Sequence, residues 1–534
     1  MNWRRILTGA AAMLLGSVLH AHAVCGDLNN NGSITVADCT LLFDVIAGPP
    51  DPAGLCGGAG AAACGDLNAD GAINIADGII CLNAVAGNET LFPLCSGSGA
   101  QPACPGGART QSTNVTTTQT WPSNCVVTLD GTLFVSANVV LTIQPGTVIK
   151  GKKNSTNGSP SALVFLRDSK INAAGTQAAP IVFTSDQAPG GRTKGDWGGL
   201  VLNGRAPVNV PGGEGLAEGL ANVPFGGSEP NDSSGVVRFV RIEFAGRALT
   251  VDNELNLFTL NGVGAGTSID HVQSHVGLDD CHEWFGGTVN EKFIVGTACG
   301  DDGLDWQLGT TGAVQFALIA QNIGIIEAGG NGIEADNNEN GFTLEPFSNP
   351  HFCNVTLIGT RGQAGTPTGA NQDGLLLRRG TKGTVAKAIV EGFHKAGVEL
   401  QHATPACSSS STLTGELLIR DSVFFDNGPT GSDHCASGTG GNAASPCDGC
   451  QFYDLLVSSF NVKPDLNPPG PVVNPGVSEA WPPSDPRPTN AGAVANAFDC
   501  SAIDGSLQAT GYIGAFDPAA ANWLTSPWID FSLN

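Results

Sequence analysis

An internal repeat of 22 residues constrains the fold of this 534-residue chain more than any other feature. The segment "DDCHEW" at 279–284 returns as "DDGLDW" at 301–306, with the same offset for both Asp residues and for the Trp. Weaker copies of a turn followed by an apolar run begin at Gly332, Gly374 and Gly397. A period near 22 suits one coil of a parallel β-helix, whereas a propeller blade needs about 40–45 residues. The repeat therefore predicts a β-solenoid.

Short apolar runs separated by turn residues fill the chain from about residue 115 onward. Examples are "NVVLTIQPGTVIKG", "APIVFTS" and "VVRFVRIEFAG", in which β-branched residues recur between Gly, Pro and Asx. Glycine, at 74 residues, is about twice as frequent as in an average protein, while charged residues make up only 13%. This pattern is typical of a turn-rich β protein rather than a helical one. We expect a mainly β chain.

Several longer motifs resemble a group of exported bacterial right-handed β-helix proteins. They are "LTIQPGTVIKG", "INAAGTQAAPIVFTS", "GDWGGLVLNG" and "DDxxxWFGGTVN", together with a closing "YIGAF" segment at 512–516 that is followed by Trp523. The resemblance covers about 115–534 and implies a right-handed parallel β-helix (solenoid) domain with a C-terminal cap. It implies no particular activity.

The amino terminus carries the pattern of a secretory signal peptide. Arg4 and Arg5 precede an apolar run at 6–19, and Ala21-His22-Ala23 offers a small-residue cleavage site, which predicts a signal peptide over 1–23. The 16 cysteines of an exported chain are then expected to form disulfides. No later run reaches the ~18 apolar residues of a membrane span, so we expect a secreted, extracellular or cell-surface protein. A net charge of −24 favours cations as binding partners and excludes nucleic acid, because the phosphates would be repelled.

Two loops near the amino terminus alternate oxygen-bearing residues in the way that calcium requires. Glycine stands at the sixth position of each loop, where a sharp turn is needed, and an apolar residue follows two positions later. Each loop therefore predicts one calcium ion, with the seventh position contributing its backbone carbonyl. The predicted ligands are Asp27, Asn29, Asn31, Ser33, Thr35 and Asp38 in the first loop, and Asp66, Asn68, Asp70, Ala72, Asn74 and Asp77 in the second.

The paired loops, each followed by an apolar helical stretch, resemble a dockerin module over 24–95. Asp38 and Asp77 match the dockerin form, in which Asp replaces the final Glu of an EF-hand loop. The resemblance implies a small α-helical, EF-hand-like calcium module that docks to a protein partner, either a cohesin-like protein or a second copy of this chain. Positions 10 and 11 of the loops, which contact cohesin in that family, are Val36-Ala37 and Ile75-Ala76 here. A linker is expected at 96–114.

Equal cysteine spacing predicts how this module is cross-linked. Cys25 and Cys56 are 31 residues apart, as are Cys64 and Cys95, so each pair would close its own repeat. The remaining two, Cys39 and Cys81, would then join the two helical stretches.

The repeated acidic motif leaves three interpretations open. In a parallel coil, Asp279 and Asp280 would lie over Asp301 and Asp302, roughly 4.8 Å apart, with Glu283 over Asp305. The carboxylates could form a solvated ladder that accepts turn hydrogen bonds, hold a further calcium ion, or act as catalytic residues. Two carboxylates about 5 Å apart suit retaining glycoside hydrolysis. A lyase would instead combine calcium with a basic residue, for which Arg378-Arg379 is the close basic pair downstream.

Two classes of function remain. The first is a secreted calcium-binding β-helix with a structural, adhesive or filament-forming role, in which the dockerin-like module docks to a partner. The alternative is a polysaccharide-degrading enzyme, a hydrolase or a lyase, that its dockerin tethers near the substrate. The segment "LDDC" at 278–281 resembles the Asp-Asp-Cys segment of polygalacturonases, which are β-helices. The sequence nevertheless favours the non-enzymatic role, because the Gly-His-Gly and Arg-Ile-Lys elements of that family are missing.

The N-terminal module should fold only with calcium, because 24–95 contains two ligand sets and no Lys or Arg to balance them. Chelation should abolish the helical circular dichroism of residues 24–95. Asp66→Ala should weaken binding more than Asn31→Ala, since it removes a charged ligand. An unchanged spectrum in excess chelator would contradict the prediction.

Overall fold

The computed structural model describes residues 39–42, 45, 81, 104, 107–250, 253–365, 372–401, 416–428, 435–437 and 473–534. The chain divides into two units, Met1–Ala100 and Gln101–Asn534. In the first unit the described residues are helical, and Cys39 and Cys81 form a disulfide with their Cα atoms 5.5 Å apart. The twelve predicted calcium ligands and the other four cysteines of the predicted module lie outside the described residues.

The described part of the second unit is built almost entirely from short strands. The first of them are β1 (Ala108–Gln111), β2 (Gln119–Trp121), β3 (Val126–Leu129), β4 (Thr132–Val135), β5 (Val140–Ile143), β6 (Val148–Gly151), β7 (Ala162–Phe165), β8 (Lys170–Ala174), β9 (Ile181–Ser185), β10 (Gly199–Asn203), β11 (Glu214–Leu216), β12 (Pro224–Gly226), β13 (Gly235–Glu243), β14 (Ala248–Thr250) and β15 (Asn253–Glu254). They continue as β16 (Phe258–Asn261), β17 (Ser268–His275), β18 (His282–Phe285), β19 (Asn290–Thr297), β20 (Leu304–Gln307), β21 (Ala313–Ala320), β22 (Ile333–Ala335), β23 (His351–Ile358), β24 (Asp373–Leu377), β25 (Gly383–Glu391), β26 (Ala396–Leu400), β27 (Leu417–Arg420), β28 (Val423–Phe425) and β29 (Cys435–Ser437).

Two parallel sheets contain most of these strands. Sheet I has 15 strands, with the central order β13-β17-β19-β21-β23-β25, and sheet II has 10 strands in the order β29-β26-β24-β22-β20-β18-β16-β10-β7-β4. From β13 to β26 the chain alternates between the sheets, so that each coil adds one strand to each, whereas coils at both ends add two short strands to sheet I. Because parallel crossovers take the right hand, this topology is consistent with a right-handed parallel β-helix. The mainly β prediction is confirmed.

The interior between the sheets is filled by alternate residues of each strand. In sheet II the chain pairs Trp284 with Trp306 and continues this column of inward side chains through Ala335 and Leu377. Trp284 and Trp306 are 2% and 1% exposed. Each fully buried apolar side chain of this kind contributes about 1.5–3 kcal/mol by leaving water. Stacking coils therefore builds one continuous core, which a single coil could not enclose.

The long strands of sheet I bend at one common position. At that position non-glycine residues take left-handed backbone conformations, with φ between 46° and 64°, at a cost of roughly 1–2 kcal/mol each. The side chains stack outward, with ring centroids 4.3, 4.4 and 4.9 Å apart along the aromatic part of the column. The column consists of Phe239, His271, Phe293, Phe316, Asn354 and Lys387.

The C-terminal segment 473–534 covers this outer face of sheet I. It contains the helix α1 (Ala491–Val494) and a 3₁₀ turn (Cys500–Ala502), and the Cys353–Cys500 disulfide joins it to β23. Trp528 meets the rings of Phe239 and His271 edge-on, at 5.9 and 5.4 Å. The segment therefore buries aromatic residues that a bare solenoid would expose.

Two further disulfides, Cys104–Cys125 and Cys281–Cys299, lie within the β-helix. In the part of the chain that the structure describes, no helix is long and apolar enough to cross a membrane.

Trp528→Ala should destabilise the β-helix by about 3–5 kcal/mol, because the indole is buried and leaves a large cavity. Leu216→Ala is the matched control, since Leu216 is 64% exposed and its loss should change stability by less than about 0.5 kcal/mol. Denaturant unfolding followed by tryptophan fluorescence measures both. Equal midpoints for the two variants would show that the C-terminal segment does not stabilise the coil.

Candidate functional site

A row of acidic side chains runs across the outer face of sheet II. Parallel pairing places Glu283 beside Asp305, and Asp305 beside Glu334, one coil apart in each step. Glu399 continues the row beyond Leu376. The predicted register of Glu283 and Asp305 is therefore present. Although the side chains of Glu283 and Asp305 point away from the interior of the coil, they are only 4% and 8% exposed.

A second row lies in the turn that precedes each of these strands, where side-chain oxygens bind the backbone of the next coil. Asn256 Oδ1 accepts the amide of Asp280 at 3.3 Å, and Asp280 Oδ1 accepts the amide of Asp302 at 2.8 Å. Asp302 Oδ1 binds the amide of Asn331, whose own Oδ1 accepts the amide of Asp373 at 3.0 Å. The steps span 24, 22, 29 and 42 residues, so the ladder survives large insertions.

The four accepting side chains, which we call the Asx ladder, include two residues of the predicted acidic site. They are Asn256, Asp280, Asp302 and Asn331. Asp280 and Asp302 accept turn hydrogen bonds, as the solvated-ladder interpretation requires, but they are buried, at 6% and 3% exposed. Water therefore does not screen their charges. Asp279 is partly exposed and Asp301 is exposed, which separates the outer pair of the predicted carboxylates from the inner pair.

Burial and mutual repulsion disfavour ionisation of the inner carboxylates. The pKa values of Asp280, Glu283, Asp302 and Asp305 all lie well above their ordinary range, chiefly because burial removes hydration. Neighbouring carboxylates add to the increase: Asp279 acts on Asp280, and Asp305 acts on Glu283. The group requires a proton or a cation to be stable.

Three overlapping groups of these carboxylates could each hold a metal ion, with ligand oxygens within 4.8 Å of one another. They are Asp279, Asp280 and Asp301; Asp280, Glu283 and Asp305; and Asp302, Asp305 and Glu334. The four predicted residues are thus divided, since Asp302 groups with Asp305 rather than with Asp279 and Asp301.

The group of Asp280, Glu283 and Asp305, which we call the buried triad, fits a divalent cation best. All three members are buried, and Asp305 Oδ1 has no hydrogen-bond partner. The Glu283 carboxylate is oriented by amides of Asn256 and of Gln307, the latter at 3.0 Å. Hard oxygen ligands of this kind suit calcium or magnesium.

Two basic side chains pair with the acidic residues of this face. Arg378 directly follows β24, and Lys395 lies in the turn before β26. Arg378 pairs with Glu334 and, at 2.8 Å, with Asp336. Lys395 Nζ lies 3.0 Å from Asp373 Oδ2 and also pairs with Glu399. The sequence had indicated Arg378-Arg379 but not Lys395.

Asp373 and Glu399 were also missed, although the sequence carried a signal for both. Asp373 precedes Gly374 as Asp302 precedes Gly303, and Glu399 belongs to the weak copy that begins at Gly397. The insertions between coils hide these equivalences from simple counting.

The pKa values of Asp373, Lys395 and Arg378 shift in different directions. The pKa of Asp373 rises to about 8, because the side chain is buried and the Glu399 carboxyl is adjacent. Burial lowers the pKa of Lys395, but the interactions with Asp373 and Glu399 together outweigh it, so the net shift is upward. Burial lowers the pKa of Arg378.

Asp373, Arg378 and Lys395 line an open groove on sheet II. Its lining contains charged, amide and small residues and one leucine, but no aromatic ring. The lining residues are Asp301, Ala328, Gly329, Asn331, Glu334, Asp373, Leu376, Arg378, Lys395 and Gln401.

The family model described as "Pectate-lyase like beta helix domain" matches residues 113–438. The chain belongs to this family. The match covers the strands of sheet II and the groove, and its start lies close to the predicted domain start at 115. No curated protein and no solved structure matches the chain. Because disulfides form in oxidising compartments, the pectate-lyase-like domain and its disulfides suggest an extracellular protein.

Asp305→Asn should lower the melting temperature in calcium, because it removes a ligand from the buried triad. In excess chelator the same variant should melt at or above the wild-type temperature, since one repulsive charge is gone. Calorimetry in both buffers measures the difference. Glu214→Gln, at an exposed ion pair with Arg167, is the control and should behave like wild type in both. A shift that is equal with and without calcium would contradict cation binding by the triad.

Proposed function

We propose that this protein is an exported enzyme that cleaves an acidic polysaccharide in the groove of sheet II, by β-elimination and with the help of a divalent cation. The observation that carries the proposal is the group of Asp373, Lys395 and Glu399, which combines a carboxyl of pKa about 8 with a protonated amine in the groove. Catalytic acids and bases work best when their pKa lies near the operating pH.

The chemistry of the groove favours a charged sugar chain. Arg378 and Lys395 provide cationic donors for carboxylate groups, and Gln401 adds an amide. No aromatic ring is present among the lining residues to stack against a neutral sugar. Since the chain is strongly acidic, a polyuronate would need these cations, together with a bound metal ion, to approach. We therefore propose a uronate-containing polysaccharide as the substrate.

The proposed reaction assigns the proton transfers to two side chains. Ionised Asp373 takes the proton from the ring carbon next to the substrate carboxylate. The electrons of that C–H bond form a carbon–carbon double bond as the bond to the departing glycosidic oxygen breaks. Lys395, which its neighbouring carboxylates keep protonated, supplies a proton to that oxygen. Hydrolysis by Glu283 and Asp305 is less well supported, because neither is among the residues that line the groove.

The buried triad would hold the divalent cation. When bound, such an ion would neutralise the buried carboxylates beside Glu334, which lines the groove. The chain's own contribution is to orient Glu283 through Asn256 and Gln307.

A second candidate function is structural, and the Asx ladder favours it. Asp280 and Asp302 each use a carboxylate oxygen to bind the next coil, which is a role in stability rather than in chemistry. In this case the β-helix would serve as an adhesive or filament-forming module. The dockerin-like segment 24–95 would dock it to a cohesin-like protein or to a second copy, with two calcium ions.

With polygalacturonate or alginate and calcium, wild type should release unsaturated products, which absorb ultraviolet light. Asp373→Asn should lower the rate at least about 100-fold, because an amide cannot accept the proton. The rate should rise as the pH passes about 8, since Asp373 must be ionised to act as the base. Asp485→Asn, at an exposed pair with Arg487, is the matched control and should retain full activity.

Three outcomes would contradict the enzymatic proposal. Release of saturated fragments alone would indicate a hydrolase. An unchanged rate in Asp373→Asn would remove the proposed base. Absence of cleavage, combined with ordered filaments of wild type in electron micrographs, would favour the structural function.

A further inference from the structure

A different pair of carboxylates, one buried and one half-buried, lies where the C-terminal segment meets the end of β25 in sheet I. Glu391, the last residue of that strand, is 1% exposed. Neither of its two carboxylate oxygens has a hydrogen-bond partner. An ionised carboxylate buried in this way is costly unless a proton or a cation accompanies it. Among the described residues, no cation is paired with Glu391 itself.

The second carboxylate, Glu479, comes from the C-terminal segment and enters a slot between two glycines. A Cβ atom at Gly362 would lie 2.6 Å from Glu479 Cβ, and one at Gly392 would lie 2.8 Å from Glu479 Cδ. Gly392 also has φ of +79°, which other residues rarely adopt. Glycine at these positions thus makes room for the Glu479 side chain beside the turn that follows Glu391.

The charges that act on Glu391 are negative. Glu479 and Asp426 both act on Glu391, and with burial as the largest cause they raise its pKa to about 9. Arg361 is a cation of this region, and its guanidinium lies 3.3 Å from Asp426 Oδ1. The pKa of the nearby His394 is lowered, first by burial and then by Arg361. Glu391 therefore meets repulsion from two carboxylates at once.

We propose that Glu391 and Glu479 bind a divalent cation, which fastens the C-terminal segment to the coil that ends in β25. A proton shared directly between the carboxylates would require a hydrogen bond between them, and Glu391 makes none. Two carboxylates supply up to four hard oxygen ligands, which suits calcium. The site lies on sheet I and is independent of the groove on sheet II.

Hydrogen exchange of the full chain, followed by mass spectrometry, tests the proposal. The amides of Thr489 and Asn490, which bind Gly476 O at 3.2 Å and Pro475 O at 3.1 Å, exchange when this part of the C-terminal segment opens. Calcium at about 100 times its dissociation constant should slow their exchange about 100-fold, because the ion binds only the closed form. Glu391→Gln should remove this calcium effect and retain the fold, since it replaces a buried charge by an amide of the same shape.

Glu283→Gln separates this site from the buried triad. It should retain the calcium effect on Thr489 and Asn490, because Glu283 lies on sheet II. Exchange that is insensitive to calcium in wild type would overturn the proposal. So would protection that persists in chelator and is lost as the pH rises through about 9, which would show that the pair holds a proton. A calcium effect that Glu391→Gln leaves intact would place the ion elsewhere.

Discussion

The hydrogen-bonded register between successive parallel coils is the interaction on which the rest of this structure depends. Because each strand pairs with the equivalent strand one coil away, a residue type that recurs in the sequence becomes a column in space. Trp284 stacks over Trp306, and Glu283 lies beside Asp305. The register therefore builds the core, the Asx ladder and the acidic row by the same geometry.

That geometry also creates an electrostatic problem. Columns of apolar side chains stabilise a solenoid, but columns of buried carboxylates repel one another at the distance of one coil. The chain uses two different responses. Along the turn ladder, backbone amides bind one oxygen of Asp280 and one of Asp302. Farther along sheet II, Arg378 and Lys395 supply the opposite charge. The triad lies between these regions, where the need for a cation is greatest.

Sheet I meets a different constraint, because its outer face carries a column of aromatic side chains rather than a row of acidic ones. The left-handed bends direct a column of aromatic side chains outward, and a solenoid alone would leave them in water. The C-terminal segment covers them with Trp523 and Trp528. Polar side chains fix its position: Gln273 Nε2 donates to Asp530 O at 2.6 Å, and Asn354 Nδ2 donates to Gly514 O at 3.1 Å. The two faces of the solenoid are therefore used differently.

The sequence by itself determined the parallel stacking and the pairing of Glu283 with Asp305, because a fixed repeat of 22 residues leaves one register. Only the tertiary structure decided that these carboxylates are buried, since burial depends on loops that lack the repeat. It also decided that Asp373, Lys395 and Glu399 meet at the groove. Asp373 follows Asn331 by 42 residues, so counting with a period of 22 does not show that the two occupy equivalent positions in successive coils. Only the hydrogen bond between the coils shows it.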